Sequence, residues 1–232
     1  MQTFELSQSI REQVLRRRGR LHAYERLDPA ATALIVVDMQ KYFMQPGMPA
    51  CCDAARDIVP NINRLVSAVR GASGTVVWIV TEALPAAAED WSNLYELGDD
   101  HMRQARTEHL AAGSEGHALW PSLSPLETDL TVTKTRYSAF IEGSSDLEPQ
   151  LRARSVDTVL ITGVATNVCC ESTARDAMMR GFRTVMVSDA NAANTQEEHA
   201  ASLTTFYQYF GDVQTTDQVI DNLSGSSAAA AQ

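Results

Sequence analysis

Thr158-Val159-Leu160-Ile161-Thr162-Gly163-Val164-Ala165-Thr166-Asn167-Val168-Cys169-Cys170-Glu171-Ser172-Thr173-Ala174-Arg175-Asp176-Ala177 reads as a buried strand, a turn and a helix start. Residues 158–162 are an apolar run of strand length, and residues 174–180 have helical character with a stop at Gly181. The pattern delivers Cys169 to the first turn of a helix, just past the carboxyl end of a strand. A helix N-terminus there is expected to stabilise a thiolate, and nearby backbone N–H groups could receive a developing oxyanion.

Outward from this stretch, strands and helices alternate. Ala33-Leu34-Ile35-Val36-Val37 is a continuous apolar run ending at Asp38, as expected of a central parallel strand buried on both faces. Asp53 is a candidate N-cap for a helix to about Arg70, with Ile58, Ile62, Leu65, Val66 and Val69 on one face. Further strands are expected over 75–80, 130–133, 183–188 and 212–214, and a helix over 195–209. The expected fold is a single α/β domain, a doubly wound six-stranded parallel sheet with helices on both faces, over residues 31–222. Residues 1–30 read as a helical extension with a solvated basic end, and 223–232 as a disordered tail. Residues 83–125, with three glycines and three prolines, are the least regular part and are expected to form a substrate-facing lid or a subunit contact.

Composition limits the function. A chain of 232 residues with 44% hydrophobic and 21% charged residues suits one soluble domain with a sizeable core. The net charge of -10 argues against a nucleic-acid or anionic-membrane partner and leaves a small-molecule substrate. No apolar run approaches the roughly 20 residues needed to span a bilayer, and the N-terminus lacks a secretory pattern, so a cytoplasmic location is expected. The four cysteines form two vicinal pairs, Cys51-Cys52 and Cys169-Cys170, without metal-site spacing. Cys51 and Cys52 read as loop or helix-entry residues, and Cys170 as core packing.

Three reactive residues fall at strand ends: Asp38, Lys134 and Cys169. Singly, each has a plain explanation as a turn cap, a surface ammonium or an inert thiol. Together at one edge of one sheet they supply a base, a charge stabiliser and a nucleophile. Arg175 and Asp176 read as a structural ion pair or hydrogen-bond anchor.

Val37-Asp38-Met39-Gln40, Lys134-Thr135-Arg136-Tyr137-Ser138-Ala139-Phe140 and Gly163–Cys169 with Thr173–Ala177 resemble the three motifs of the isochorismatase-like cysteine hydrolases, in order and over about residues 31–220. The resemblance is closest to the family's ureidoacrylate and N-carbamoyl amidohydrolase type. It implies an Asp38–Lys134–Cys169 triad, a cis peptide at Val164–Ala165, and an oxyanion hole from the Ala165 and Cys169 N–H groups. Arg136, Tyr137 and Asn167 become tentative substrate contacts, and a homodimer or homotetramer is expected.

The implied chemistry is hydrolysis of a small amide, ureide or N-carbamoyl compound through a thioester, with no cofactor. Metal-binding nicotinamidases of the superfamily carry Asp-x-His after the second strand. Here the chain has Thr81-Glu82-Ala83-Leu84, and His101 and His109 are expected to be solvent-exposed, so no metal is expected. The Asn and Trp that contact a ureido substrate have no clear counterpart around 81–84. Isochorismatase-type vinyl ether hydrolysis is the alternative chemistry, and retention of Cys169 weighs against it. A non-catalytic binding protein and a vicinal-thiol redox role complete the alternatives.

Overall fold

The computed structural model describes residues 2–84 and 91–224, together with the backbone of 225–229. Six strands form one all-parallel sheet in the order β3-β2-β1-β4-β5-β6: β1 Thr32–Val37, β2 Thr75–Thr81, β3 Leu130–Lys134, β4 Thr158–Val164, β5 Arg183–Ala192 and β6 Asp212–Gln214. The expected sheet is present, and several strands run further at their carboxyl ends than apolar runs alone suggest. β2 takes in Thr81 and β3 takes in Lys134, because in-register pairing of these two polar residues extends the ladder.

Every residue of β1 is buried. Ala33, Ile35 and Val37 face one core layer while Leu34 and Val36 face the other, the period-2 alternation of a pleated strand covered on both sides. The first layer is closed by α1 (Gln8–Arg18), α6 (Leu147–Ala153), α7 (Glu171–Met179) and α8 (Gln196–Tyr209). The second is closed by α3 (Val59–Gly71) and α9 (Thr216–Ala229), through Ile62, Leu65, Val66, Val69, Val219 and Leu223. Short helices α2 (Lys41–Met44), α4 (Ser92–Glu96) and α5 (Asp100–His109) lie at the carboxyl edge of the sheet. Among the described residues, no helix is long and apolar enough to cross a membrane.

Three local expectations need correction, and the segment 83–125 gains detail. The helix after β1 starts at Val59, with Pro60 in its first turn where no N–H is required. Asp53 instead opens a separate 3-10 turn, Asp53–Arg56, and pairs with Arg56 at 2.8 Å. The basic end of α1 is only partly solvated: Arg18 donates to the Leu21 and Gly211 carbonyls and stacks on Tyr207. The segment 83–125 contains α4 and α5, with Asp99 capping α5 through a 2.8 Å bond to the Met102 N–H, although residues 85–90 lie outside the described set. At the far end α9 continues past residue 222 because Leu223 is buried against the second layer, while residues 230–232 are outside the described set.

Chain order reverses between β1 and β4, where ligands bind in open α/β sheets. Here the strands approach closely. Gly163 has φ +112 and pairs with Val37, and a Cβ at Gly163 would lie 2.1 Å from the Val37 carbonyl oxygen. Only glycine fits this position, and it brings the end of β4 against the end of β1.

Candidate active site

Each reactive side chain leaves the carboxyl edge of a strand. Asp38 follows β1 in a left-handed conformation, φ 54, which Asp tolerates better than most residues. Its N–H donates to the Ile79 carbonyl at 3.0 Å, fixing the turn against β2. Lys134 ends β3, and Cys169 lies in a five-residue π turn, Thr166–Cys170, that continues into α7. Asp38 and Lys134 are fully buried, and Cys169 is 7% exposed.

Lys134 Nζ is the hub. It lies 2.8 Å from Asp38 Oδ2 and 3.6 Å from Cys169 Sγ, and it donates to Thr81 Oγ1 at 2.6 Å and to the Arg136 carbonyl at 3.0 Å. Thr81 Oγ1 then donates to Asp38 Oδ1 at 2.8 Å. The threonine hydroxyl thus accepts from the ammonium and donates to the carboxylate. Gln40 holds Thr81 from behind: its Oε1 accepts the Thr81 N–H at 2.7 Å and its Nε2 donates to the Thr81 and His117 carbonyls.

Burial pulls the Lys134 ammonium toward neutrality, but the charge of Asp38 and the hydrogen bond to it hold the Lys134 pKa above the ordinary lysine value. For Cys169, burial dominates and pushes the thiol to about 12 against the lowering effect of Lys134. The charge of Asp38 and a hydrogen bond to it act in the same direction as burial. Burial therefore leaves a protonated thiol and not the thiolate expected of a helix start. The neighbouring Cys170 is fully buried, and burial raises its thiol well above the ordinary value, consistent with packing.

The π turn is tied to α8. Thr166 Oγ1 and His199 Nδ1 are 2.9 Å apart, and Ser202 Oγ donates to the Thr166 carbonyl and, at 2.7 Å, to Glu171 Oε2. Glu171 also pairs with Arg175, whose guanidinium stacks on Phe210. The structural ion pair of Arg175 is therefore made with Glu171. The Val164–Ala165 peptide is cis.

A cavity of about 290 Å³ opens beside Cys169. Its apolar wall includes Tyr42, Phe43, Leu94, Leu97, Met102 and Val168, and Ala165 also borders it. Polar groups come from Arg103, Arg106, Tyr137 and Asn194. Of the three tentative substrate contacts, Tyr137 lines the cavity. Arg136 contributes its carbonyl to Lys134 and turns its guanidinium over Trp91, and Asn167 is not among the described lining residues. Trp91 also meets Tyr137 edge-on at 4.8 Å, so the insertion closes over the second motif.

His101 is exposed, but His109 is half-buried and stacks on Tyr42 at 6.3 Å, contrary to the expected exposure of both. Among the described residues, no cluster of three or more His, Cys, Asp or Glu side chains could hold a metal ion. Sequence reasoning missed Thr81, Arg106 and Asn194. A polar residue at the carboxyl end of β2, on the edge shared with Asp38 and Lys134, was the available signal for Thr81.

The Isochorismatase domain family matches residues 32–218. A ureidoacrylate amidohydrolase, RutB, of Methylobacterium radiotolerans is 36% identical over 201 residues, covering 80% of this chain and 76% of the relative. Among solved structures, a cysteine hydrolase from Pseudomonas syringae superposes with a TM-score of 0.78 at 32% identity, covering 89% of this chain and 98% of the other. N-carbamoylsarcosine amidase from Thermoplasma acidophilum gives 0.64 at 25% identity, covering 80% and 96%. With its parallel sheet, its strand-end residues and the extent of these matches, the chain belongs to the isochorismatase family.

Proposed function

We propose that the protein is a cysteine-dependent amidohydrolase that cleaves a C–N bond of a small amide, ureide or N-carbamoyl compound through a thioester. The observation that carries this reading is the position of Lys134 Nζ, 2.8 Å from Asp38 Oδ2 and 3.6 Å from Cys169 Sγ, beside the cavity. The RutB relative and the cysteine-hydrolase neighbour support it.

The resting thiol keeps its proton, given a pKa of about 12. Substrate carbonyl carbon arriving at Sγ makes attack and proton transfer concerted: Asp38 takes the S–H proton as the S–C bond forms. Lys134 remains protonated and balances Asp38 whenever it is a carboxylate, before the transfer and again after the proton is returned. The carbonyl oxygen gains the negative charge and is received by the Ala165 and Cys169 N–H groups. Collapse breaks the C–N bond, and Asp38 returns the proton to the departing ammonia or amine. Water, deprotonated by the same carboxylate, then attacks the thioester and releases the acid and the free thiol.

A panel of amides, ureides and N-carbamoyl compounds assayed for ammonia, with Cys169→Ala as control, tests this. Ammonia release lost in Cys169→Ala supports the reading. Turnover of isochorismate that survives Cys169→Ala would overturn it.

A further inference from the structure

The chain carries a net charge of -10, yet the described residues lining the cavity include two arginines and no carboxylate. The two arginines differ in how they are held. Arg103 donates to the Tyr95 carbonyl and to Asp100 Oδ1 at 3.3 Å, so its charge is already engaged on α5 and α4. Arg106, one turn further along α5, has no side-chain hydrogen bond or ion pair among the described residues. It is half-buried rather than extended into solvent. A partly desolvated guanidinium with no anion among the described residues, in an acidic protein, is an arrangement suited to receive one.

Arg106 is also near the reacting groups. Its charge lowers the Cys169 thiol and the Tyr137 and Tyr42 hydroxyls, all on the same cavity. The wall of the cavity that Arg106 and Cys169 share is otherwise largely apolar, with Phe43, Leu94 and Val168. A ligand suited to this cavity has a carbonyl at one end, a short apolar spacer, and a single negative charge at the other.

We propose that Arg106 is the specificity determinant of this site, its guanidinium receiving the carboxylate of an amide or ureide whose carbonyl lies at Cys169. The proposal rests on the amidohydrolase reading and narrows its substrate class to monoanionic acids. Fork-like donation to a carboxylate suits arginine, and lysine at this position would supply charge without the planar pair of donors.

The test pairs probes that differ in the charged end: succinamate with butyramide, and 3-ureidopropionate with butylurea. Ammonia release is measured for the wild type, Arg106→Gln and Arg106→Lys. In the wild type, kcat/KM favours the charged member of a pair, and Arg106→Gln reduces that preference roughly 10- to 100-fold, chiefly through KM. Arg106→Lys restores part of the preference. Because the readout is a ratio within one protein, a general loss of folded enzyme does not imitate it. An equal or greater wild-type rate on the neutral member, or a ratio unchanged by Arg106→Gln, would overturn the proposal. Calorimetry with Cys169→Ala separates binding from chemistry. Binding of succinamate or 3-ureidopropionate that disappears in Cys169→Ala/Arg106→Gln supports the subsite even where no probe is hydrolysed, a result that would count against the amidohydrolase reading alone. Absence of binding by both acids would overturn the subsite.

Discussion

Thr81 Oγ1 donates to Asp38 Oδ1 over 2.8 Å while it accepts from Lys134 Nζ, so a neutral hydroxyl orders the buried ion pair. Thr81→Val keeps shape and removes the hydroxyl, leaving Asp38 Oδ1 without this donor. Loss of about 1–3 kcal/mol of stability is expected from the unsatisfied buried group. A drop in kcat of roughly tenfold follows from the less constrained carboxylate. Urea melts and steady-state rates check both, and Thr81→Ser should stay close to the wild type.

The Lys134–Asp38 pair is fully buried, so breaking it on one side strands a charge. Lys134→Met is expected to cost about 3–5 kcal/mol and to abolish turnover. Asp38→Asn/Lys134→Met should recover most of that stability without recovering activity, since Asn tolerates the left-handed backbone at position 38. The Lys134 pKa is raised in the folded state, so its stabilising contribution is complete below the ordinary lysine value of 10.5. It is lost as pH rises through the folded value. The stability gap between wild type and Lys134→Met should therefore be flat through neutral pH and narrow only above about 10.5, as read by urea melts.

Cys169 is a protonated thiol at rest, pushed to about 12 chiefly by burial. Thiolate absorbance, taken as the difference between wild type and Cys169→Ala, should show no step through the neutral range. A step near neutrality would mean that a preformed thiolate, and not proton transfer to Asp38, starts the reaction.

Much of the sheet was legible because β1, β2 and β4 are apolar runs buried on both faces, and such runs have few other stable placements. Asp38 was legible because it follows such a run and Cys169 because it follows the turn after one, whereas Lys134 ends the short alternating strand β3. Thr81 was harder to read: threonine favours strands, and only its place on the edge shared with Asp38 and Lys134 marks it out. The expected thiolate failed for a different reason. Sequence reveals a helix start but not the depth of burial that opposes it. Arg106 lies in α5, and only the folding of this helix over the strand ends brings it to Cys169's cavity.

His199 is completely buried beside Thr166, and burial lowers its pKa to about 4. The unfolded chain then binds the extra proton between the ordinary value of 6.5 and about 4, so stability declines as pH falls through that window. His199→Gln should reduce the loss between pH 7 and pH 5 by about 2 kcal/mol relative to wild type. Urea melts at the two pH values measure it, and an identical pH slope in both proteins would contradict the assignment.

The central claim is covalent chemistry at Cys169. Intact-mass spectrometry of the enzyme mixed with a turned-over amide or ureide and quenched in acid tests it most directly. The account predicts an adduct equal to the substrate mass less the released ammonia or amine, located on the peptide containing Cys169 and absent from Cys169→Ala. Turnover by Cys169→Ala at the wild-type rate, with no adduct on the wild-type enzyme, would contradict it.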